Sequence, residues 1–172
     1  MGRSRSSHHL DHEDEPQSTE RVRQPRIIVA DQDREIRHVV SRALRADGYM
    51  VFEASSGVDL LDHISTALLA TRHNDKPDAI IMALWMPGIS GLSILSGLRD
   101  AKWSTPILLL TGHLDRELRE SYQRHGASAI FEKPFDVDDL RTVVLNLVPG
   151  ATRRFDRHSL MPCSNDVFAA TG

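Results

Sequence analysis

Five short apolar runs, each five or six residues long, set the strongest constraint on how this chain folds: Arg26–Ala30, Tyr49–Ala54, Ala79–Ala83, Pro106–Leu110 and Ser128–Glu132. Each is too short for a buried helix, and the first is enriched in β-branched residues, so each reads as a strand. Apolar residues at helical spacing follow every run. Ile36, Val39, Val40, Ala43 and Leu44 precede a stop at Gly48, and Leu60, Leu61, Ile64 and Leu68 follow Ser56-Gly57. Leu92, Leu95 and Leu98 mark a third helix, and a more polar fourth runs from His113 to about Arg124 before Gly126. The last, Asp136 to Leu147, buries Val137, Leu140, Val144 and Leu147, with Asp136 as its N-cap. Ala79–Ala83 is apolar without alternation, as a strand must be when helices cover both faces of a parallel sheet. Five such βα units predict a doubly wound α/β sheet.

The flanks differ in character. Residues 1–25 are rich in Ser, Arg, His and acids with almost nothing to bury, and read as a disordered leader; residues 26–148 form the domain, and 149–172 a flexible tail. His8, His9 and His12 beside Asp11, Glu13 and Asp14 are either a solvated tail or a weak metal binder. The single cysteine, Cys163, excludes an intrachain disulfide and any multi-cysteine metal site. A formal charge of −3 supplies no basic field for nucleic acid or anionic lipid. The segment from Ala151 holds no helix-turn-helix pattern, so no DNA partner is expected. No run approaches the roughly 18 apolar residues of a membrane span, so a cytoplasmic chain with no membrane partner is expected.

In open parallel sheets, sites form where the strands end at their carboxyl side. Those positions hold Asp31, Gln32 and Asp33 after the first strand, Ala83 at the end of the third, Thr111-Gly112 after the fourth and Lys133-Pro134-Phe135 after the fifth. With the turn Met86-Pro87-Gly88, this ordered set resembles the receiver domain of two-component response regulators from about Arg26 to Val148. The resemblance implies a flavodoxin-like sheet of order 2-1-3-4-5 and a cis Lys133-Pro134 bond. It also implies an acidic pair that holds Mg²⁺, an acceptor aspartate four residues before Pro87, a hydroxyl that contacts the phosphoryl group and a lysine that balances its charge.

Three positions depart from that pattern. Ala83 stands where the acceptor aspartate is expected, and a methyl group has no lone pair with which to attack phosphorus. Gln32 replaces the second acid, and its amide brings no charge to a hard cation that favours carboxylates. Asp31 is then the one carboxylate at the usual metal positions, with Asp33 a displaced helper, so Mg²⁺ binding is expected to be very weak and no cofactor is expected. Ile130 replaces the aromatic switch residue three positions before the lysine, which uncouples Thr111 from an aromatic rotamer. Without nucleophile and metal, in-line phosphoryl transfer lacks its attacking group and its electrostatic clamp, and the chain is not expected to be an enzyme.

The surviving residues have plainer uses. Asp31 either caps the first helix, satisfies backbone amides or pairs with Lys133, and the pair is expected. Thr111 is either a remnant site residue or the cap of the fourth helix. Asp78 begins the third strand and is too far away to be a shifted acceptor. Either Trp85 and Met86 form an exposed contact anchor, or Trp85 packs over the empty pocket. The charged run His113, Asp115, Arg116, Glu117, Arg119 and Glu120 is a solvated face or, as in relatives, a surface for dimers and effectors.

The expected function is that of a stand-alone receiver-like signalling protein in a two-component phosphorelay. It would act through phosphorylation-independent contacts with a sensor histidine kinase, a histidine phosphotransfer protein or another signalling protein, with a homodimer also open. One alternative is a phosphoaccepting regulator with an engineered Ala83 or another acceptor. A small-molecule binder on the same frame is a third, against which stands the lack of glycine in Asp31-Gln32-Asp33-Arg34.

Overall fold

The computed structural model describes residues 23–69 and 76–149. The leader up to residue 22, the loop Thr71–Asp75, the side chain of Leu68, the tail from residue 150, Cys163 and the three leader histidines lie outside the described residues. The elements alternate without exception: β1 Arg26–Ala30, α1 Arg34–Ala46, β2 Met50–Ala54, α2 Gly57–Leu69, β3 Ala79–Ala83, α3 Gly91–Asp100, β4 Ile107–Thr111, α4 Arg116–Arg124, β5 Ala129–Glu132 and α5 Val137–Leu147. The strands form one parallel sheet in the order β2-β1-β3-β4-β5, as expected. Its register pairs Ile28 with Phe52 and Ile80, Ile81 with Leu108, and Leu109 with Ile130.

Every residue of β3 and β4 is buried, because helices cover both faces of these strands. Alternate side chains feed two cores. Ile80, Met82 and Leu109 pack with Leu60, Ile64, Leu95 and Trp103 on one face. Ile81, Leu108 and Leu110 pack with Val40, Leu44, Leu140 and Val144 on the other. Each fully buried aliphatic side chain contributes about 1.5–3 kcal/mol relative to exposure, which is why apolar content concentrates in these runs.

The helix ends follow local chemistry. Asp33 caps α1 by accepting from the Glu35 and Ile36 amides, and Asp136 caps α5 through the Asp138 amide. The fourth helix starts three residues later than its sequence suggests. Asp115 is extended and its carboxylate accepts the Leu118 amide at 2.7 Å, so His113 and Leu114 belong to the preceding loop. Arg23, Gln24 and Pro25, assigned to the leader on composition, are tied to the domain. Arg23 pairs with Asp78 at 2.8 Å, Gln24 Nε2 donates to the Gly48 carbonyl at 2.8 Å, and the Met50 amide donates to the Pro25 carbonyl.

Candidate functional site

At the carboxyl end of β1, Asp31 has no solvent exposure. A carboxylate there is costly to bury unless both oxygens find partners. Oδ1 accepts the Asp33 amide at 2.9 Å, and Oδ2 forms an ion pair with Lys133 Nζ. Lys133 is placed by the end of β5. Its amide donates to the Thr111 carbonyl at 2.7 Å, and the bond to Pro134 is cis. The expected pair is therefore present, and Asp31 serves the backbone as well; the α1 cap belongs to Asp33. Asp33 makes that cap through Oδ1.

Ala83 ends β3 and is 3% exposed. The β1–β3 register, which pairs Ala30 with Met82, sets Asp31 opposite Ala83 one step further on. The backbone after Ala83 is held closely: the Leu84 amide donates to the Leu110 carbonyl and the Gly91 amide to the Leu84 carbonyl. A Cβ on Gly91 would lie 2.4 Å from the Ala83 carbonyl oxygen, so glycine is required where α3 begins against this strand. Gln32 is exposed beside the site.

Thr111 is buried, but it does not cap α4. Its hydroxyl donates to the His113 carbonyl at 2.8 Å and lies 3.3 Å from the His113 amide, closing the loop after β4 on itself. Ile130 is half-buried against the core that holds Leu109 and Tyr122. Trp85 is 73% exposed while Met86 is buried, so neither sequence alternative survives intact: Trp85 covers no pocket, and Met86 is core and not part of an exposed pair.

Two contributors went unnoticed in the sequence. Glu132 accepts the Leu114 amide at 3.2 Å and so fastens the β4–α4 loop to the end of β5. Its position next to Lys133 was the available signal. Arg37 donates to the Asp31 carbonyl at 2.7 Å and to the Gln32 carbonyl at 3.3 Å, bracing the β1–α1 loop from the first turns of α1. Beside Lys133 lies a groove of about 280 Å³, lined mainly by Ile36, Val39, Val40, Pro134, Phe135 and Val137. Val39 at its rim is half exposed. On α4, Arg116 pairs with Glu120 at 3.0 Å and His113 stands 3.7 Å from Asp115, both in solvent.

The donor set does not fit a divalent cation of the kind the fold family holds. Asp31 is occupied on both oxygens, position 83 offers a methyl group, and position 32 an amide. Among the described residues no three His, Cys, Asp or Glu side chains converge on one point.

Residues 27–145 match the response regulator receiver domain family. The chain is 24% identical over 124 residues to sporulation initiation phosphotransferase F of Bacillus subtilis, covering 72% of this chain and 94% of that protein. It is 31% identical over 151 residues to the response regulator MprA of Mycobacterium bovis, covering 83% of this chain and 62% of MprA, so it spans less than two thirds of that relative. Among solved structures, the receiver domain of the Francisella response regulator 1452 superposes with a TM-score of 0.65 at 26% identity, over 73% of this chain and 97% of that one. Sheet order, the residues at the strand ends and these likenesses agree: the chain belongs to the response regulator receiver domain family of two-component signalling.

Proposed function

We propose that this receiver domain signals through protein contacts that do not depend on phosphorylation at position 83, without Mg²⁺ and without catalysis of its own. The observation that carries this reading is the closed Asp31–Lys133 pair beside the Ala83 methyl group. The lysine that would balance an incoming phosphoryl group already has an anion, and no side chain at position 83 can attack phosphorus. The loop after β4 is likewise held, by Thr111 on His113 and by Glu132 on Leu114. A fixed site favours one conformation, which suits a constitutive binding module. The relative from Bacillus subtilis is named for phosphotransfer, so the difference proposed here rests on a few residues and not on the scaffold.

The proposed partner is a sensor histidine kinase or histidine phosphotransfer protein, and the groove between α1 and Phe135 is the surface proposed to receive it. The proposed setting is cytoplasmic; no helix among the described residues is long and apolar enough to cross a membrane. Intact mass after incubation with Mg²⁺ and acetyl phosphate, on the native chain and on Ala83→Asp, tests the reading. No adduct on the native chain is expected. A stoichiometric phosphoryl adduct there would overturn it and would direct attention to another acceptor. An adduct on the variant alone would show that Gln32 and the Asp31–Lys133 pair do not block the chemistry, and would favour a phosphoaccepting regulator with an engineered Ala83 over this reading.

A further inference from the structure

The outer face of α1 is basic and largely unpaired. Arg34, His38 and Arg42 recur every fourth residue, are exposed, and have no ion-pair partner among the described residues, while Arg45 shares Glu53 with Arg37. Glu35 is the helix's single carboxylate. Arg34 also sits in the first turn, where the helix dipole is positive and already favours an anion. On one flank of this stripe lies the apolar groove at Val39.

Inspection of where the chain enters the fold supplies the occupant. Gln24 and Pro25 are hydrogen-bonded to Gly48 and Met50, directly past the C-terminal end of α1. The preceding chain carries Leu10 followed by Asp11, His12, Glu13, Asp14 and Glu15, four carboxylates in five residues. Glu15 and Asp11 precede Arg23 by eight and twelve residues, a reach of about 26 to 40 Å at ~3.3 Å per residue. The whole of α1 is only about 20 Å long. Arg34 to Arg42 spans about 12 Å of helix, and Asp11 to Glu15 about 13 Å when extended. Charge, length and point of attachment therefore match.

We propose that the acidic run Asp11–Glu15 of this same chain docks along Arg34, His38 and Arg42, with Leu10 entering the groove at Val39. The contact stands apart from the function proposed above.

The test is paramagnetic broadening in the full chain. A nitroxide is placed on Ser7→Cys in a Cys163→Ser background, and amide signals of the ¹⁵N-labelled protein are compared with the label oxidised and reduced. In low salt, amides of Arg34 to Arg42 are expected to lose more than about half their intensity, while those of α3 and α4 keep theirs. Neutralising the run with Asp11→Asn, Glu13→Gln, Asp14→Asn and Glu15→Gln should restore most of it, as should 1 M salt, where the screening length falls to about 3 Å. Absence of selective broadening on α1, or broadening that the four substitutions leave unchanged, overturns the proposal. So does broadening in a mixture where the nitroxide sits only on unlabelled molecules, because the run then binds a second copy. These readouts need no partner protein, so they stand or fall separately from the docking role of the groove.

Discussion

Lys133→Met is the sharpest probe of the site. Removing one member of a buried ion pair strands the other charge and costs about 3–5 kcal/mol. Here the stranded group is Asp31, which has no solvent exposure and keeps one bond from the Asp33 amide. Lys133 is 23% exposed, so water can reach the vacated side of the pair and the cost falls to or below the low end of that range. The expected loss is about 2–3 kcal/mol, a factor of about 30–150 in the folding equilibrium. Asp31→Asn should cost less, about 1 kcal/mol, because a neutral amide still accepts the Asp33 hydrogen bond and the freed lysine can turn to water. The double variant should lose less than the sum of the two, by about 1–2 kcal/mol of coupling. Urea unfolding followed by far-ultraviolet circular dichroism, with the slopes compared before midpoints are converted, measures all four corners. A Lys133→Met loss under about 0.5 kcal/mol, or additive single effects, would mean that the two groups are not paired in solution. The argument that Lys133 is already satisfied would then fail.

Three further outcomes follow from the packing. Gly91→Ala should destabilise by about 1–3 kcal/mol, since its Cβ would lie 2.4 Å from the Ala83 carbonyl, whereas Gly97→Ala in the same helix meets nothing within 4 Å and should stabilise by about 0.4–1 kcal/mol. Thermal melts of the pair check both signs. Burial, helped by the nearby Asp47 charge, pushes the Tyr49 phenol up to about 12 from its ordinary 10. The protonated form is thus favoured in the fold. Its stabilisation is complete below pH 10 and lost as pH rises through 12, on the order of 2–3 kcal/mol in all. Between pH 9 and 12 the unfolding free energy of the native protein should fall relative to that of Tyr49→Phe as pH rises; parallel curves would refute the assignment. Trp103→Ala should cost about 3–5 kcal/mol, because Trp103 is 7% exposed and packed in the core. Trp85→Ala should change stability by less than about 0.5 kcal/mol, because that ring is 73% exposed. Iodide should quench Trp85 and spare Trp103.

The sheet was legible because β3 and β4 must be apolar on both faces, and no other short element demands that of every residue. The strand-end positions were legible for the same reason: a parallel sheet brings them together, whatever residues occupy them, and so the Asp31–Lys133 pair could be expected across 102 residues of chain. What stayed hidden depended on choices between equivalent polar groups. Thr111 and Asp115 are both good cap residues, and only the extended backbone at Asp115 gives it the Leu118 amide and leaves Thr111 to the loop. Trp85 and Met86 are adjacent and both apolar, yet the turn that follows buries Met86 and turns Trp85 outward. Periodicity cannot separate neighbours in a loop, because a loop has no period. Glu132 was passed over for a third reason, although it adjoins Lys133. On an exposed strand end a glutamate needs no explanation, and its bond to the Leu114 amide is visible only once the loop before α4 is placed beside β5. The Asp115 cap and the Glu132 bond thus hold adjacent residues of the segment that leads from the site into α4. Asp115→Ala should loosen that loop as well as the helix, a link that hydrogen exchange at Leu114 and Leu118 can register together.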